Sequence, residues 1–135
     1  MLKMLVFTSF TLAGAVLYAE APHTGPDLTL VLPDQAPIEV YARPALQEKK
    51  LSTIELKFTP TSVWIPLALD AEMPAHKHGM VVTPSIPKPV AGRPGIYEVR
   101  GVKLHMAGAW DFKLKIRNSK SGEEQWISRA LILSL

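Results

Sequence analysis

The chain has 135 residues, with 15 Lys+Arg, 12 Asp+Glu, four His and no Cys. That length allows one ordinary domain and excludes a large multidomain enzyme. The missing thiols exclude a disulfide framework, a zinc–thiolate centre and a cysteine nucleophile. Fourteen of the first 19 residues are hydrophobic, which leaves the remaining 116 roughly 42% apolar. That share supports a folded core burying about two thirds of the unfolded surface, and argues against extended disorder or a polytopic membrane protein.

The first 19 residues have the layout of a signal peptide. Met1-Leu2-Lys3-Met4 gives a short positive start, Leu5–Leu17 is an uncharged apolar run of 13 residues, and Tyr18-Ala19 leads into Glu20-Ala21-Pro22. A cut after Ala19 fits best, because a cut after Ala21 would place Pro22 just past the scissile bond. The run is shorter than the ~20 residues of a spanning helix. The alternative is an uncleaved anchor, the one case in which the protein would contact the membrane. No cysteine lies near the cut, so a lipoprotein is excluded. Residues 20–135 are expected to form a single domain in the periplasm or otherwise outside the cytoplasm, folding without covalent cross-links.

The pI near 9.3 would suit a nucleic-acid-binding protein. The charge distribution does not. Residues 20–75 carry 4 basic and 8 acidic side chains, and residues 76–135 carry 10 basic and 4 acidic. The two halves should attract each other within one fold. No basic cluster is interleaved with aromatics, as single-strand binding requires.

From residue 20 onward the pattern is that of strands. Candidates in chain order are Leu28–Leu32, Ile38–Tyr41, a run in which Ile54, Leu56 and Phe58 alternate with polar residues, and Val63–Leu69. Ala45–Lys50 is one helical turn or a loop. Met80–Thr83 is a further candidate strand, and Thr83–Pro94, with Pro84, Pro87, Pro89 and Pro94, is a stiff loop. Ile96–Lys103 follows. Trp110, Phe112, Leu114 and Ile116 then alternate with Asp111, Lys113, Lys115 and Arg117, which predicts a strand with the first set buried and the second exposed. Asn118-Ser119-Lys120-Ser121-Gly122 is a turn, and Gln125–Leu135 completes a hairpin. About seven or eight short strands predict an all-β antiparallel sandwich. A small closed barrel is the alternative.

Soft ligands collect in two segments. Met73, His76, His78 and Met80 lie in Met73-Pro74-Ala75-His76-Lys77-His78-Gly79-Met80, and His105 and Met106 in Leu104-His105-Met106-Ala107-Gly108. Thioether and imidazole favour copper, Cu(I) above all. Alternate residues of an extended chain share a face, so His76 and His78 are expected to present both rings to one ion, with Lys77 pointing away. Gly79 allows a sharp turn after them. The plainer reading makes Met73 and Met106 core filler and His105 a hydrogen-bonded strand histidine. His23 adds little, since Pro22 lacks the amide an amino-terminal copper clip needs.

These two motifs, with Tyr97-Glu98-Val99 between them and Ala109-Trp110 after them, resemble the YtkA-like domain family, whose relatives include the FixH group. The family signature is Met-Pro-x-His-x-His-Gly-Met followed by His-Met-x-Gly-x-Trp, and the resemblance spans about residues 70–117. It implies an exported or membrane-attached immunoglobulin-like β-sandwich and copper handling by the His and Met residues. It does not imply a reaction. Many relatives carry Gly between the two histidines, where this chain has Lys77.

No catalytic set stands out. Ser85 follows the two histidines without a nucleophile elbow, Asp70 and Glu72 at a strand end fit solvated surface better than a glycosidase pair, and no glycine-rich phosphate loop follows a strand. A non-enzymatic protein is expected. One class is an exported copper-binding or copper-transfer module. The other is a structural or protein-interaction accessory of an envelope or membrane complex, with no metal. The first requires the His76–His78 segment and the His105–Met106 segment to meet at one pole of the fold. There His76, His78 and one of Met73, Met80, His105 or Met106 would form a three- or four-coordinate site. Adjacent strand residues face opposite ways, so His105 and Met106 reach one ion together only if the strand is broken there, which Gly108 permits.

Overall fold

A computed structural model describes residues 24–134. The signal-peptide assignment, His23 and Leu135 lie outside the described residues. Nine strands form two antiparallel sheets, and no helix occurs among the described residues. The strands are β1 (Leu28–Val31), β2 (Pro37–Arg43), β3 (Leu51–Lys57), β4 (Trp64–Met73), β5 (His78–Gly79), β6 (Lys88–Pro89), β7 (Ile96–Lys103), β8 (Gly108–Asn118) and β9 (Glu124–Leu133). One sheet runs β1-β2-β3-β7-β6 and the other β5-β4-β8-β9. The sandwich expected from the alternation is therefore present. Seven strands have four or more residues, and β5 and β6 are two-residue pairings too short to show as alternation.

The period-two pattern makes the core. Ile38, Val40 and Ala42 of β2, Ile54 and Leu56 of β3, Leu69 of β4 and Phe112, Leu114 and Ile116 of β8 all turn inward and are buried. A smaller cluster of Ala71, Met73, Leu104, Trp110 and Leu133 closes one end. The β8–β9 register runs unbroken from Gly108↔Leu133 to Arg117↔Glu124. Its turn is held by Asn118, whose Oδ1 accepts from the Lys120 and Ser121 amides at 2.9 and 3.1 Å, while Gly122 takes a positive φ of 79°. The acidic and basic halves are joined by Arg93 on Glu55 at 2.9 Å and Lys113 on Glu72 at 3.2 Å.

Three local expectations need correction. Met80–Thr83 is not a strand. The pairing on the β4 edge is used up at Glu72↔Gly79, Met80 turns in against the core, and Pro84 could not continue a ladder. The Pro-rich segment contains β6, whose Lys88 and Pro89 pair with Glu98 and Tyr97 at the sheet edge where proline is tolerated. Asp111, Lys113 and Lys115 are half-buried rather than exposed. Strand β8 lies between β4 and β9, so its outer side chains are covered by neighbours; the Lys113 ammonium sits 5.4 Å from the centre of the Trp126 ring. Ala45–Lys50 is a loop.

Candidate functional site

Strand β4 ends at buried Met73, which pairs across with His78 at the start of β5. The four residues between them form a tight turn in which the amides of His76 and Lys77 both donate to the Met73 carbonyl, at 3.1 and 2.8 Å. Lys77 closes this turn in the left-handed region, at φ 55°. The turn, not an extended chain, brings the histidines together. The exposed ring of His76 stacks on that of half-buried His78, with centroids 5.6 Å apart and planes at 29°. Gly79 does not turn the chain. It is part of β5, and a Cβ there would lie 3.4 Å from the Ala71 carbonyl oxygen.

The second segment arrives from the β7–β8 connection. Leu104 is fully buried, and its carbonyl accepts the Lys49 amide at 2.8 Å. The Trp110 indole N–H donates to the Met106 carbonyl at 2.9 Å, which folds residues 105–107 back over the start of β8. His105 thereby lies against His78, at 5.1 Å between ring centroids, and edge-on to Trp110 at 5.6 Å. Trp110 also meets His78, at 6.3 Å. Trp110 is the residue that the alternation assigned to the core alone. Its place two residues past Gly108 in the second motif was the available signal.

Among the sulfur ligands, Met73 is buried beneath Gly108, where a Cβ would come within 2.9 Å of the Met73 methyl carbon. Met80 and Met106 are half-buried and pack on the rim of the same small cluster. So the two segments do meet, with the His78 ring lying against both His76 and His105. Met73 is buried as core filler, and half-buried Met80 and Met106 pack against the same cluster.

Two observations bear on whether a metal fits. His105 Nδ1 is buried and has no hydrogen-bond partner. A metal bound at about 2.1 Å to imidazole nitrogen lies about 3.1 Å from the ring centre, so two rings sharing one ion stand no more than about 6.2 Å apart. Both His78–His105 at 5.1 Å and His76–His78 at 5.6 Å meet that limit. Among the described residues no three His, Cys, Asp or Glu side chains form a metal-holding group. The donors shown close together are therefore paired imidazoles, His78 with His105 and His76 with His78.

The acids and the hydroxyl considered for catalysis are otherwise engaged. Asp70 Oδ1 accepts the Ala71 amide at 2.8 Å, Glu72 holds Lys113, and the Ser85 hydroxyl accepts the Arg100 amide at 2.8 Å. Comparison of the chain with models of protein families, with curated proteins and with solved structures gave no match.

Proposed function

We propose that this protein is an exported, non-enzymatic β-sandwich module that binds copper, Cu(I) above all, through His78, His105 and a thioether from Met80 or Met106, with His76 at the rim. The observation that carries this reading is the orphaned Nδ1 of His105. A buried polar atom without a partner costs about 1–3 kcal/mol, and native structures rarely leave one unsatisfied. A cation shared with His78 would satisfy it. The donor chemistry selects the metal: thioether and imidazole suit Cu(I), whereas a structural zinc site asks for four ligands, usually thiolates and imidazoles.

Membership of the YtkA-like family is part of the proposal. Both signature segments line this site, and the sheet orders β1-β2-β3-β7-β6 and β5-β4-β8-β9 support an immunoglobulin-like reading, in which β2-β3-β7-β6 would be strands A-B-E-D, β5-β4-β8-β9 strands C′-C-F-G, and β1 an added edge strand. The signal-like start supports a periplasmic or other extracytoplasmic location.

A second reading, an interaction accessory of an envelope complex without metal, is favoured by one feature. Strand β9 shows Trp126 at 46% and Ile132 at 71% exposure on its outer face. Anaerobic Cu(I) titration against a chromophoric chelator separates the two. The wild-type domain should bind one equivalent, and the double variant His76→Ala/His78→Ala should bind at least about 100-fold more weakly. Equal affinity in both proteins would overturn the copper reading and leave the interaction module.

A further inference from the structure

One of the three histidines is open to solvent and two are not: His76 sits exposed on the turn, His78 in β5 and His105 after β7 are both half-buried, and the Nδ1 atom of His105 is sealed from solvent. His78 is the shared member of both close ring pairs, at 5.6 Å from His76 and 5.1 Å from His105. Both spacings lie within the upper limit for two rings sharing one ion, so the three rings form a continuous series from the exposed turn to the sealed nitrogen. Resting on the copper reading, we propose that the rings act in succession: His76 captures the ion and hands it through His78 to His105, so that His76 sets the rate of exchange and His105 sets the affinity.

The roles follow from where each group touches the ion. A ligand used only in passage stabilises the intermediate of arrival and, by microscopic reversibility, that of departure. Removing it slows both directions and leaves the end states unchanged. A ligand of the final complex stabilises the end state, and its loss appears mainly as faster dissociation. The neutral imidazole gives up one nitrogen lone pair to Cu(I) as the previous ligand leaves, so each hand-over is a ligand exchange with no change of oxidation state. The last step gains most, because it supplies a partner to an atom that otherwise has none.

Removal of His105 should also be readable without metal. An apolar side chain of similar size at 105 abolishes the orphan, so His105→Leu should leave the metal-free domain at least as heat-stable as the wild type.

The test uses the whole mature domain with Cu(I) alone, loaded anaerobically, and stopped-flow transfer to and from a chromophoric chelator. In His76→Ala both association and dissociation should slow by about 10-fold, with the Kd moved by less than about 3-fold. In His105→Leu the Kd should rise by at least about 100-fold, carried by dissociation. If the wild type binds no Cu(I), the copper reading itself fails. If it binds and His76→Ala weakens the Kd as much as His105→Leu does, or leaves both rates unchanged, the succession is overturned while the copper reading survives. His76→Ala alters only an exposed turn position, so this arm does not depend on whether His105→Leu folds.

Discussion

Trp110 is where the fold and the site depend on the same side chain. It is 1% exposed, packs with Ala71, Met73, Leu104 and Leu133, and holds the Met106 carbonyl at 2.9 Å. Truncation to Ala removes an aromatic that buries about 150–250 Å², and its neighbours lie on hydrogen-bonded strands that cannot close the gap. The expected loss is about 3–5 kcal/mol, including about 1 kcal/mol for the indole hydrogen bond. Domains of this size hold about 5–15 kcal/mol in all, so Trp110→Ala should be marginal or unfolded at room temperature. At about 4 °C per kcal/mol the midpoint should fall by about 12–20 °C. Urea and thermal unfolding followed by far-UV circular dichroism measures this, and Trp110→Phe, which retains most of the apolar volume, should lose only about 1–2 kcal/mol. A loss below about 1 kcal/mol in Trp110→Ala would refute the buried position and the β8 register with it.

Three further outcomes can be checked. Gly108→Ala should destabilise by about 2–4 kcal/mol in urea titration, because the new methyl meets Met73 and the backbone φ of 127° suits only glycine; an unchanged midpoint would mean that the start of β8 is not built as described. Lys77→Gly should raise stability by about 0.5–1 kcal/mol, since glycine takes the left-handed φ of 55° without steric cost; a lowered midpoint would contradict the turn geometry. The Tyr41 phenol is raised above its usual range near 10, chiefly by its hydrogen bond to Glu39, then by burial and by the charges of Glu39 and Glu55. The neutral phenol therefore contributes stability that is complete below the unfolded value and lost as pH climbs through the folded one. Ultraviolet titration of tyrosinate should show a late-ionising group that disappears in Tyr41→Phe, and identical curves for the two proteins would remove this interaction.

Much of this architecture was legible in the residues themselves. Period-two alternation in Ile54-Leu56-Phe58 and in Trp110-Phe112-Leu114-Ile116 reports burial directly, because a pleated strand sends successive side chains to opposite faces. The Asn118–Gly122 turn declares itself by side-chain chemistry acting within four residues. The cluster of His and Met residues is also visible as composition, since six of them crowd into two short segments.

What lies beyond the sequence is set by contacts between distant parts of the chain. The alternation of Asp111, Lys113 and Lys115 predicts exposure, but their half-burial depends on which strands flank β8, and sheet order is a non-local property. Pairing, rather than propensity, stops the Met80–Thr83 segment from being a strand. The stacking of His76 on His78 comes from a left-handed Lys77, a conformation that lysine by itself disfavours and that closure of the β4–β5 hairpin imposes. The local pattern determined that strands would form and which of their side chains would face a core, because side-chain direction along a strand is a matter of neighbours in sequence. Tertiary structure alone decided that His105, about thirty residues from His76 and His78 along the chain, would lie 5.1 Å from His78 with a buried nitrogen and no partner. That meeting depends on how β4, β5, β7 and β8 pack, and no short stretch of the chain encodes it.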